Sequence, residues 1–165
     1  MEAIDAVRMA NEKSSRLIHL ILIGEGECYD LLKGRELPAY IHLMGRRGDP
    51  RNYFAMSDVA LLPSRFKGES FPLVVIESLM SGTPVIASDI GEIRNMLANE
   101  DGTMAGVLFQ LVDGKVPVDT LSQIIVSVSM DRDWLARMKQ DVLKCVGKFD
   151  IERTAKKYLD LYLEV

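Results

Sequence analysis

Apolar and polar positions along the chain fall into two alternating kinds of block. Residues 2–14 place Ala3, Ile4, Val7, Met9 and Ala10 near one face of a predicted helix, with polar residues on the rest. Leu17 to Ile23 is a nearly continuous apolar run closed by Gly24-Glu25-Gly26, the form of a strand buried on both faces and ended by a tight turn. A helix is expected over Glu27 to Lys33, a short strand over Ile41 to Met44 ending at Gly45, and a short helix around Arg51 to Met56. Asp58 to Leu62 reads as another buried strand, stopped by Pro63-Ser64. After a long loop the alternation resumes with a helix over Phe71 to Met80, Pro72 being acceptable in its first turn. Val85 to Ala87 then predicts a strand, Glu92 to Ala98 a helix and Gly106 to Phe109 a final strand. From Pro117 onward, apolar positions three or four apart predict helices over Leu121 to Val128, Trp134 to Val146 and Ile151 to Leu163.

Strands alternating with helices imply an α/β fold with a parallel sheet and helices on both faces. Ligands of such a sheet bind outside the carboxyl ends of its strands. That rule selects the loops at Gly24 to Gly26, Gly45-Arg46-Arg47, Pro63 to Phe71, and Ser88 to Glu92. Composition narrows the partners. The 165 residues amount to one domain, and 48% hydrophobic content supplies a core without metal or disulfide staples. A net charge of -4 gives no general positive field, so nucleic acid is excluded as the expected partner. Cys28 and Cys145 stand far apart, with no CxxC or Cys/His spacing, which argues against a zinc site or disulfide framework and for a reducing compartment. No apolar run approaches the roughly 20 residues that cross a bilayer, and a cytoplasmic location is expected.

The most informative stretch runs from Pro63 to Glu77. Glu69 and Glu77 stand eight apart, close to two helical turns, so a carboxylate in the helix can lie near the side of one at its entrance. The free N–H groups of a helix start between them suit an anion such as a diphosphate. By spacing alone, two unrelated surface acids are the readier explanation of the pair. The flanking residues add more: Pro63-Ser64 stands upstream, and Ser78 to Gly91 reads SLMSGTPVIASDIG. This whole run resembles the donor-binding, C-terminal domain of retaining GT-B-fold glycosyltransferases with an E-x(7)-E motif, the glycosyltransferase group 1 family. The resemblance extends over almost the entire chain.

That resemblance implies a nucleotide-diphosphate sugar as the partner. Glu77 is then expected to accept hydrogen bonds from the ribose hydroxyls, and Glu69 to be the catalytic-side contact with the donor sugar. Backbone amides from Phe71 through Pro72 and Leu73 to Val74 are expected to hold the diphosphate, with Ser70 ahead of them also expected at the donor site. Gly24 and Gly26 would let the backbone approach the donor, and Arg46 would border the base. Transfer with retention follows from the resemblance, as does the absence of any required metal or cofactor. Compared with that family, the first strand of the domain is missing, together with the Arg and Lys that follow it, and so is the N-terminal acceptor domain. The 165 residues are therefore expected to be a fragment of a longer enzyme, with little transfer activity alone. Any peripheral membrane contact is expected from the missing part.

Other candidates have plainer readings. Arg65 and Lys67 either replace the lost positive charge or are solvated loop cations, and Glu92 stands where the family has a second glycine. Asp131-Arg132-Asp133 has the spacing of a metal-binding DxD but sits where acids start a helix. His19 and His42 read as satisfied core histidines, the two cysteines as small hydrophobes, and Trp134 as a packing residue. Arg46, Arg47 and Arg51 form a basic cluster that either attracts an anionic ligand or is solvated. Two competing functions share this layout: a GT-B phosphorylase or epimerase domain, and a non-catalytic, receiver-like nucleotide-binding module.

Overall fold

In the computed structural model, which describes residues 1–163, the chain runs α1 (Glu2–Lys13), β1 (Leu20–Ile23), α2 (Glu27–Lys33), β2 (Ile41–Gly45), α3 (Pro50–Met56), β3 (Ala60–Leu62), α4 (Leu73–Met80), β4 (Val85–Ser88), α5 (Ile93–Leu97), β5 (Gly106–Phe109), α6 (Val118–Met130), α7 (Arg132–Cys145) and α8 (Ile151–Leu163). A 3-10 turn over Val146–Phe149 joins α7 to α8. Every strand pairing is parallel, as expected of strands separated by helices. The sheet comes in two parts, β1-β2 and β3-β4-β5.

β4 shows why a continuous apolar run marks a central strand. All four of its residues are buried. Its side chains alternate between two cores: Ile86 joins α1, α6 and the β1-β2 side, while Val85 and Ala87 join Val75, Leu79, Ile93 and Leu97 on the opposite face. Each fully buried side chain of this size contributes about 1.5–3 kcal/mol. α1 lays Ala6 and Ala10, both fully buried, against the first of these cores. On the other face, Ser78 Oγ donates to the Thr83 carbonyl at 2.8 Å and Thr83 Oγ1 to the Phe54 carbonyl at 2.7 Å. These two bonds tie α3, α4 and the turn into β4.

Several boundaries move for identifiable reasons. β1 begins at Leu20, because the Asn11 side chain takes both polar groups of Ile18, accepting its N–H at 2.8 Å and donating to its carbonyl at 2.9 Å, and so holds that peptide out of the ladder. α4 begins at Leu73, two residues later than expected, with Pro72 in extended geometry at the N-cap. A residue before proline is biased away from helix, which keeps Phe71 outside. α7 begins at Arg132, where the Asp131 carboxylate accepts the Trp134 N–H at 2.7 Å; the DxD spacing is a helix cap. Cys145 is buried and its Sγ donates to the Met96 carbonyl at 3.1 Å, whereas Cys28 is exposed. Burial pushes the Cys145 thiol above its usual range. No helix among the described residues is long and apolar enough to cross a membrane.

Candidate functional site

The carboxyl ends of the strands carry the predicted loops, and the loop between β3 and α4 is the most closely held. Ser64, two residues past β3, donates from Oγ to Glu69 Oε1 at 2.8 Å and accepts the Phe66 N–H at 3.2 Å. The Glu69 N–H bonds the Phe66 carbonyl at 3.2 Å, closing a tight turn. From the loop after β4, the Glu92 N–H donates to the Glu69 carbonyl at 3.0 Å. Gly91 beside it has φ +52°, and a Cβ there would run into that same carbonyl. Glu69 is thus fixed at its carboxylate by β3's loop and at its backbone by β4's loop. It is half-buried, with one carboxylate oxygen left free of protein donors among the described residues.

α4 supplies the second part of the arrangement. The N–H groups of Phe71, Leu73 and Val74 have no backbone acceptor among the described residues, while that of Val75 bonds the Pro72 carbonyl at 3.0 Å. Pro72 has no N–H, so of the residues expected to donate here it sets the backbone direction and donates nothing. Ser70 is exposed in the loop ahead of the helix. Glu77 is half-buried one turn into α4, where its carbonyl accepts Ser81 Oγ at 2.7 Å and its carboxylate has no protein partner among the described residues. Because α4 starts at Leu73, only one helical turn separates Glu77 from the helix start, and the two-turn argument for the Glu69–Glu77 spacing does not hold. The two acids share a unit because loop and helix are contiguous, with Glu69 held by its own contacts.

The β1 and β2 loops contribute backbone. Gly24 and Gly26 have φ of +144° and +118°, with open space where a side chain would stand. The Gly24 N–H bonds the Gly45 carbonyl at 3.0 Å. Arg46 is exposed and reaches Glu25 at 3.3 Å, while Arg47 and Arg51 are exposed as well. Arg65 bonds Glu2 at the start of α1 at 3.3 Å, which engages it away from a role as replacement charge. Chemically, the edge offers two carboxylates that can accept hydrogen bonds from hydroxyls and a row of N–H donors suited to an anion.

In the sequence pattern Ser64 is only part of the stop after β3, and Glu92 only stands where the family has a second glycine. The sole signal for these contacts is a glycine directly after the β4 loop's Ile90, and that does not name the carbonyl it accommodates. His19 and His42 are a further correction. His19 is exposed ahead of β1, and its Nδ1 lies 2.9 Å from Nε2 of His42, so the rings satisfy each other outside the core.

A family model described as glycosyl transferases group 1 matches residues 1–126. The chain is 30% identical over 150 residues to the Escherichia coli UDP-Gal:alpha-D-GlcNAc-diphosphoundecaprenol alpha-1,3-galactosyltransferase, covering 88% of this chain and 36% of that protein. It is 26% identical to the Bacillus anthracis N-acetyl-alpha-D-glucosaminyl L-malate synthase, over 88% of this chain and 37% of that one. The chain thus spans about a third of the length of the curated relatives it matches. Among solved structures, the GtfA/B complex gives a TM-score of 0.81 at 21% identity, over 99% of this chain and 32% of that one. Anabaena HepE in complex with UDP gives 0.77 at 18% identity, over 98% of this chain and 44% of that one. These likenesses show the fold, the Rossmann-like parallel sheet of the C-terminal half of GT-B proteins.

Proposed function

This chain belongs to the glycosyl transferases group 1 family, and we propose that within it residues 1–165 are the domain that binds a nucleotide-diphosphate sugar for transfer of its glycosyl group. The observation that carries this reading is the double hold on Glu69 beside the free N–H groups at the start of α4. In this reading the N–H groups of Phe71, Leu73 and Val74 receive the diphosphate, assisted by the positive end of the helix dipole. Glu77 receives neighbouring ribose hydroxyls on its unpartnered carboxylate. Glu69 faces the donor sugar as the catalytic-side acid, Ser70 lines the entrance, Gly24 and Gly26 allow close approach, and Arg46 borders the base.

Breaking the sugar–phosphate bond builds positive charge on the sugar and negative charge on the departing diphosphate. Donors already aimed at that diphosphate lower the barrier, because they bind it most strongly as its charge develops. Transfer proceeds with retention and without a divalent metal. The acceptor is bound by a second, N-terminal domain of the whole protein, which supplies the other half of the cleft, so these 165 residues bind donor and do not transfer it alone. Titration of the chain by calorimetry with UDP, GDP, ADP and their sugar conjugates tests this, with Glu77→Ala as the control. Binding of at least one nucleotide, weakened about tenfold or more by loss of a charge-assisted bond in Glu77→Ala, is the expected result. Equal binding by both proteins removes Glu77 from the site.

A further inference from the structure

Among the described residues, Ser64 alone holds the carboxylate of Glu69. The backbone of Glu69 has other anchors, its N–H on the Phe66 carbonyl at 3.2 Å and its own carbonyl under the Glu92 N–H at 3.0 Å. Neither restrains the side chain, and a glutamate side chain is among the costliest to immobilise. Ser64 Oγ donates to Glu69 Oε1 at 2.8 Å and accepts the Phe66 N–H at 3.2 Å. A hydroxyl carries a single hydrogen, so with the amide on its oxygen the serine gives that hydrogen to the carboxylate. Pro63, fixed in φ, ties the serine to the end of β3. Phe66 closes the loop from within, its ring lying against Gly68 where an added Cβ would meet it.

We propose that Ser64 is a positioning residue: it aims the free oxygen of Glu69 at the donor sugar and so sets how much that sugar contributes to binding of the nucleotide. The role rests on Glu69 being the contact to the sugar, as the proposed function has it. It is separate from the hold on the diphosphate, since Ser64 bonds none of the N–H groups of Phe71, Leu73 and Val74. A carboxylate already ordered by the protein loses less freedom when a sugar hydroxyl bonds it, so Ser64 stabilises the sugar complex without touching the sugar. Glu77 is the contrast within the same site. Its carboxylate has no protein partner among the described residues, so its ligand must order it.

Calorimetry on the 165-residue chain, with UDP against UDP-glucose, GDP against GDP-mannose and ADP against ADP-glucose, reads the sugar and the nucleotide separately. Ser64→Ala should weaken the sugar conjugate that binds by about threefold to tenfold and leave its bare nucleotide within about twofold. Glu69→Ala should do the same, and Ser64→Ala added to it should weaken the conjugate no further, because a residue that acts through another has no effect once that other is gone. Equal weakening of nucleotide and conjugate, weakening of neither, or a further loss in the double variant would each overturn the positioning role. No binding of any ligand, or undiminished conjugate binding in Glu69→Ala, would instead sink the donor reading and this role together. Ser64→Thr and Ser64→Val are alike in shape and differ in the hydroxyl. Threonine should keep the affinity for the conjugate and valine lose it, which decides the matter even where Ser64→Ala fails to fold.

Discussion

The β3-β4-β5 part and the β1-β2 part present their carboxyl ends to the same edge and do so by different means. β4 is buried throughout, and the loops beside it are cross-linked by side chains and tight backbone contacts, so Glu69 has one place to be. β1 passes from buried Leu20 to exposed Ile23, and its loop ends in two glycines with open space around them. A side chain that must hold a fixed position stands on the buried part. The open part offers backbone with room for something to approach.

The largest effect that would break this contrast is on stability. Leu79→Ala, in the core beneath β4, should cost about 2–5 kcal/mol in denaturant unfolding, whereas Leu22→Ala in half-buried β1 should fall below that range. Equal losses would mean that the two parts are packed alike. Gly91→Ala comes next, because it sets a Cβ against the Glu69 carbonyl at a positive φ; a loss of about 1–3 kcal/mol, with weakened nucleotide binding, is expected. Gly24→Ala, strained only by its own φ, should cost less. Ser64→Ala removes one bond to Glu69 and should cost about 0.5–1.5 kcal/mol, seen as a lower melting midpoint with nucleotide binding through α4 retained.

The smallest effect lies on the far side of the β3-β4-β5 part. Asp101 accepts from the Thr103 hydroxyl and amide and from Lys144, and these hold its carboxyl at about 2, below the ordinary aspartate value of 3.8. A depressed carboxyl stabilises the fold above its unfolded value, and that contribution is lost as pH falls from about 4 through about 2. Asp101→Asn should flatten the acid limb of a stability profile in that window and leave neutral pH little changed in slope.

Most of the fold was legible because burial on two faces writes itself into the sequence. Val85 to Ala87 is apolar without a break since neighbours lie on both sides, and α6 and α7 show their buried stripe at three- and four-residue spacing. Contacts between loops were not legible. Nothing local in Ser64 or Gly91 indicates that both reach Glu69, since that meeting depends on how β3 and β4 are placed side by side. The His19–His42 pair was hidden for the same reason, arising from the register that sets Ile21 beside His42. Pro72 was visible, but its consequence for the start of α4 depended on the residue before it.

The unequal cysteines give the molecule a built-in reporter. Cys28 sits exposed on the open part, within reach of a thiol reagent, while Cys145 is sealed where α7 meets α5 and burial pushes its thiol above the usual range. Counting labelled sulfurs therefore reads one in the folded chain and two once that seam has parted. Opening of the tightly held half can then be timed without adding any probe to the sequence.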